Sequence, residues 1–102
     1  MTTGADVLKQ AEETYRERNK TYGDNYQRLG HAMHAMFPAG LTIKTPEDWT
    51  RLYLYFLTVV KMSRYATQFE VGGHHDSTLD ASVYAAMLHA WDKDLKNDRP
   101  VV

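Results

Sequence analysis

The chain contains no cysteine, which excludes disulfides, thiolate zinc sites and thiol nucleophiles. No apolar run approaches the roughly 20 residues that span a bilayer, and the first residues show no charged-then-apolar leader pattern. A cytosolic protein is therefore expected. Neither sign of charge is in excess: twelve Lys and Arg against thirteen Asp and Glu leave a net charge of -1. That balance provides no broad basic field to attract duplex nucleic acid or an anionic membrane, while small ligands stay open. The chain also has no Walker glycine loop, no nucleophile elbow and no HExxH, which removes P-loop phosphate cradles and the common hydrolase triads. Nothing alternates like a strand, and there is no repeat, low-complexity segment or linker.

What is present is helical. The 102 residues, 43% hydrophobic and 25% charged, suit one small soluble domain spanning 1–102. A core this small leaves apolar surface over, so a homo-oligomer, a dimer or higher, is expected. Val7, Leu8, Ala11 and Tyr15 at helical spacing predict a first helix over about Ala5–Arg18, with Asp6 as cap. Asp24 or Asn25 is placed to cap a second helix with the seam Tyr26, Leu29, Met33, Met36 and Phe37, stopped by Pro38 and Gly40. Thr45-Pro46-Glu47-Asp48 reads as a capping box with proline in the first turn. The stripe Trp49, Leu52, Tyr53, Phe56, Leu57 and Val60 carries that third helix to about Phe69, before Gly72-Gly73. Asp76 or Ser77 is the expected cap of a fourth, with Leu79, Val83, Met87 and Trp91 as its seam and Pro100 marking a frayed tail. The predicted fold is all-α, a four-helix bundle-like single domain.

Some charges fall on faces expected to be dry. Asp76 and Asp80, four apart, share the face of Leu79, Val83 and Met87, which makes Asp80 a candidate buried carboxylate. Arg64 lies inside the apolar stripe of the third helix and Lys61 on its flank, so Arg64 is a candidate buried cation. Buried charge must be paired, bound to metal or kept for a ligand. One reading is structural: an Arg64–Asp80 ion pair, or a Ser77-to-Asp80 capping box. The other is chemical: Asp76 and Asp80 hold Mg²⁺ while Lys20, Lys61 and Arg64 hold phosphate oxygens.

The stretches ERNKTYGDNYQR, TPEDWTRLYLYFLTVVKMSRYA and HHDSTLDASVYAAM, in that order, resemble a family of small phage and prophage proteins. That family carries Lys-x-Tyr-Gly-Asp, Lys-x-x-Arg and Asp-Ser-x-x-Asp-x-x-x-Tyr, and the resemblance covers about two thirds of the chain. It is similar in turn to the all-α nucleoside triphosphate pyrophosphohydrolases of the MazG and dUTPase-like type. The resemblance implies a dimeric or tetrameric helical fold in which acids on two helices bind Mg²⁺ and the triphosphate is cut between its α and β phosphorus atoms. Asp76 and Asp80 are similar in position to the second acidic motif. Glu12, Glu13 and Glu17 stand where the first would be, but only Glu12 reaches the edge of its helix's apolar seam, and Asp24 is a substitute. In that reading Glu12 acts as general base, Asp80 and Asp76 hold metal, and Lys61 and Arg64 steady the departing oxygens. With an incomplete metal site the same pocket would serve as a phage sponge that sequesters a nucleotide, including a cyclic one, used as a signal by host defence.

The remaining motifs carry two readings each. Gly23 permits a turn; Tyr22 offers a stacking face or hydroxyl beside Lys20 and Asp24, or else packs on the core while Asp24 caps the second helix and Lys20 stays in water. His31 with His34, and His74-His75 beside Asp76, allow a transition-metal site but lack a complete ligand set, so loop or surface histidines are expected. Trp49, Tyr53 and Trp91 fit core seams, Met33, Met36 and Met87 core filling, and Tyr55 is placed to face a partner subunit.

Overall fold

Threonine side chains start two of the four helices. In the computed structural model, which describes residues 1–97, Thr3 opens α1 (Gly4–Tyr22) and Thr45 opens α3 (Pro46–Thr67). Each is a closed capping box: the Thr3 hydroxyl accepts from the Asp6 N–H at 3.2 Å and Asp6 accepts from the Thr3 N–H at 2.9 Å. Thr45 accepts from the Asp48 N–H at 3.1 Å while Asp48 accepts from the N–H groups of Thr45 and Lys44. Backbone donors satisfied this way are the ones a helix start otherwise leaves open. Asp6 is thus the partner of the cap rather than the cap. The third-helix signal behaves as expected.

Helix α2 covers Tyr26–Met36 and follows a three-residue turn; Asn25 precedes it without a side-chain cap bond. After α3 comes a 3-10 turn, Phe69–Val71, then Gly72 and Gly73, and α4 runs over His75–Asn97. Gly73 has φ of +86°, and a Cβ there would stand 3.0 Å from the Tyr65 ring, so the tight reversal into α4 requires glycine on two counts. The all-α class and the four helices agree with the pattern reading, and no strand occurs among the described residues. Pro100 lies outside the described residues.

The packed part of the protomer is the antiparallel α3–α4 hairpin. Leu54 of α3 and Ala81 of α4 are its buried apolar residues. Lys61 Nζ meets Asp80 Oδ2 at 3.0 Å near one end, and Trp91 Nε1 donates to the Glu47 carbonyl at 3.3 Å near the other. On α4 the inward residues are Ser77, Ala81, Tyr84, Leu88 and Trp91, alternating by four and three as a helix–helix seam requires. The expected seam of Leu79, Val83 and Met87 is instead exposed. Both stripes are helical in period; the one that wins carries Ser77 and Ala81, whose small side chains let α3 approach closely. Trp49, Tyr53 and Phe56 on α3 are likewise exposed, as are Val7, Leu8, Ala11 and Tyr15 on α1, which buries nothing.

Backbone hydrogen bonds hold the carboxyls of Asp6 and Asp48 below the ordinary carboxylate range. A depressed folded value adds stability above the unfolded value of about 4 that is lost as pH falls through the folded one. The helical circular dichroism signal is therefore expected to weaken on acidification below about pH 4, less so in Asp48→Asn. Thr45→Ala should lower stability by about 1 kcal/mol in chemical denaturation at fixed protein concentration. An unchanged midpoint would show that the box contributes nothing.

Candidate functional site

Three segments far apart in sequence meet where the α1–α2 turn reaches the hairpin. Gly23, at φ +60° and ψ -155°, ends α1 and reverses the chain. Asp24 then folds back onto α1, accepting from the Tyr15 hydroxyl and from Asn19 Nδ2, each at 2.7 Å. The acceptor holds the Tyr15 phenol neutral: Asp24 above all, with Tyr26, pushes its pKa up to about 12. Asp24 is occupied in this way and caps nothing in α2.

Asn25 is buried, and its Nδ2 donates to Ser63 Oγ at 2.9 Å; Ser63 in turn donates to the Val60 carbonyl at 2.7 Å. The Gln68 side chain donates to the Thr21 carbonyl. Two side-chain bonds from the last turns of α3 thus latch the α1–α2 turn in place. The latch sets Tyr22 beneath Arg64, whose guanidinium carbon lies 5.1 Å from the ring centroid, a cation–π arrangement. His74 meets the same ring edge-on at 5.9 Å, and its Nδ1 lies 2.6 Å from the Oγ of buried Ser77.

Beside this cluster a cavity of about 180 Å³ opens, with Arg18, Tyr22, Asn25, Tyr26, Leu29 and Arg64 among its lining. Tyr15, Arg18, Asn19 and Tyr22 share one face of α1, by the three- and four-residue spacing of a helix, and turn together toward the cavity. Arg18 forms no ion pair among the described residues. Two guanidiniums, three phenols and two amides around the apolar Leu29 and Val60 suit an anion joined to a flat ring. The volume is below the 300–1,000 Å³ or so of a site enclosing a drug-sized ligand, so the cavity has room for only part of one.

The expected site residues divide. Tyr22 and Arg64 come together. Lys61, largely buried, pairs with Asp80; Arg64 does not, and no Ser77–Asp80 capping box forms, because Ser77 lies within α4 and bonds His74. Asp80 is half-exposed rather than buried. Lys20 points away, bonded to Glu17 at 3.1 Å; it sits two residues from Arg18, on another side of the helix. Glu12 pairs with Arg16 at 2.8 Å on exposed surface, and Asp76, also exposed, lies 3.3 Å from His75. No group of three His, Cys, Asp or Glu is placed to hold a metal ion among the described residues. His31, His34 and His75 are exposed as expected, whereas His74 is half-buried against Tyr22. Arg18 and Ser63 escaped the sequence reading as site residues, while Asn25 and Ser77 were read only as helix caps and His74 only as a loop histidine or incomplete metal ligand.

Ser63→Ala leaves the buried Asn25 amide without its acceptor. That is expected to cost about 1–3 kcal/mol in denaturation at fixed protein concentration. A change within the roughly 0.5 kcal/mol of an ordinary surface substitution would show that the turn is not latched. No helix among the described residues is long and apolar enough to cross a membrane. Comparison with models of protein families, with curated proteins and with solved structures finds nothing that matches this chain.

Proposed function

We propose that this chain binds a nucleotide or nucleotide-derived small molecule at the α1–α2 turn and works as a homo-oligomer in the cytoplasm. The observation that carries the reading is the convergence of Tyr22, Arg64 and Arg18 on one partly apolar cavity, with His74 against the Tyr22 ring. Arg64 and Arg18 supply fork-shaped donors for phosphate oxygens, and Tyr22 and Tyr26 supply ring faces for a base. Lys61 is the second cation of the Lys-x-x-Arg pair and is neutralised by Asp80 until an anion competes for it.

The activity implied by the phage-protein resemblance is hydrolysis of a nucleoside triphosphate between its α and β phosphorus atoms. Asp76 and Asp80, one turn apart on α4, are two hard carboxylates of the kind that hold Mg²⁺ with waters and substrate phosphates completing the shell. Bound there, Mg²⁺ would neutralise phosphate charge and activate water. Glu12 is the general base in this reading, released from Arg16. Sequestration without cleavage is the second reading, favoured by the dispersal of Glu12, Asp24 and Asp76 and by the pairing of Asp80 with a lysine. A phage sponge for a host-defence nucleotide is its concrete form.

Binding of canonical, modified and cyclic nucleotides, followed by calorimetry, should weaken about tenfold or more, ~1.4 kcal/mol, in Arg64→Ala. With Mg²⁺, a cleaved substrate appears as pyrophosphate and monophosphate, and Asp80→Ala abolishes both. Intact ligand recovered after denaturation selects sequestration; absence of binding across the panel overturns both readings.

A further inference from the structure

The end of the hairpin away from the α1–α2 turn holds a carboxylate that nothing in the protomer answers. Asp92, near the C-terminal end of α4, forms no ion pair and no hydrogen bond among the described residues. Its Oδ1 is the one buried side-chain oxygen or nitrogen among them without a partner. Burying an acceptor without a donor is costly, and more so when the acceptor is charged. A group in that condition calls for a donor from outside the protomer.

Asp92 also lines a cavity of about 310 Å³, where the start of α3 and the end of α4 meet Phe37 and the 41–43 loop. That volume is at the low end of the 300–1,000 Å³ or so of small-molecule sites. The walls are largely hydrocarbon: Leu52 from α3, Leu88 from α4, and the rings of Phe37 and Tyr55, which meet edge-on at 5.2 Å. The Tyr55 hydroxyl is taken by Met36 Sδ at 2.6 Å. Asp48 and Arg51 border the cavity too, but they neutralise each other at 2.9 Å. The other Asp48 oxygen is held by the backbone N–H groups of Lys44 and Thr45. Asp92 is thus the uncompensated charge of the lining. One negative charge in excess disfavours an anion, and a single free carboxylate among hydrocarbon walls lacks the set of oxygen ligands that a hard metal ion takes.

What fits is a cation at one end of an apolar body. Its charged end answers the carboxylate with a charge-assisted hydrogen bond, and the rest lies against aromatic rings and leucines. We propose that this cavity binds a small organic cation, a primary ammonium or amidinium carried on one ring or a short hydrocarbon chain, with Asp92 as its counter-ion. The site is separate from the candidate nucleotide site, since roughly 18 Å along α3 separate Leu52 from Arg64, and the two prefer ligands of opposite charge. The inference does not rest on nucleotide binding.

The test is titration of the full chain with phenethylamine, with benzamidine and with 2-phenylethanol, the neutral counterpart of the amine, followed by two-dimensional amide NMR. Both cations should give saturable shifts at millimolar concentration, centred on the 41–43 loop, Leu52 and Leu88, and the alcohol should bind about tenfold or more weakly, the difference made by a hydrogen bond to a charged group. Asp92→Asn keeps the shape, removes the charge and should weaken both cations by a similar factor. Glu70→Gln removes a charge from the exposed turn at the other end of the hairpin and should leave them unchanged. The comparison of amine with alcohol uses the unaltered chain, so it decides the matter even where Asp92→Asn folds poorly. Equal binding of amine and alcohol, unchanged affinity in Asp92→Asn, shifts centred on Tyr22 and Arg64, or no saturable shift with any of the three compounds overturns the proposal. Nucleotide binding without amine binding removes this inference and leaves the functional reading; amine binding without nucleotide binding does the reverse.

Discussion

The hydrogen bond from Asn25 to Ser63 is the interaction on which the candidate site depends. It is part-buried, with Asn25 itself buried; it joins residues 38 apart in the chain and fixes a glycine-containing turn at the tip of two lightly packed helices. With the turn held, Tyr22 lies under Arg64 and against His74, and Arg18 comes round to the same cavity. Without it, α1 has little purchase on the rest of the protomer, since none of its residues is buried. A polar bond does here what an apolar core does in larger domains, and does so because an unmet amide in a dry position is costly.

That arrangement makes sense of an otherwise unbalanced molecule. The chain is 43% hydrophobic, yet the protomer buries Leu54 and Ala81 and leaves large aromatic and aliphatic side chains in water. Hydrophobic burial is the main favourable term in folding, and little of it lies within one copy. The hairpin packs its inner faces together, leaves an apolar face open to solvent and carries the candidate cavity at its turn-proximal end.

The sequence carried a good deal of this. Local signals were legible because their physics is local: Thr45 and Asp48 close a box across three residues, and Gly23 ends α1 at a backbone conformation that suits only glycine. The structure brings the motif residues Tyr22 and Arg64 together. Lys20 was preferred over Arg18, because a charge beside a motif looks equivalent to one two residues away until the helix face is known. The α4 seam was misassigned because both of its stripes are apolar at helical period, and periodicity reports that a face is apolar without saying what covers it. Asp80 was read as buried for the same reason: its stripe faces outward from the protomer.

Composition, capping chemistry and period thus determined the all-α class and the four helices, since each of these depends on neighbours within a turn or two of the chain. Only the tertiary structure decided which face of each helix is inside, which cation pairs with Asp80, and that Asn25, Ser63 and His74 hold the site together. Those outcomes are contests between chemically similar partners, and they are settled by distances across the hairpin that no local spacing encodes.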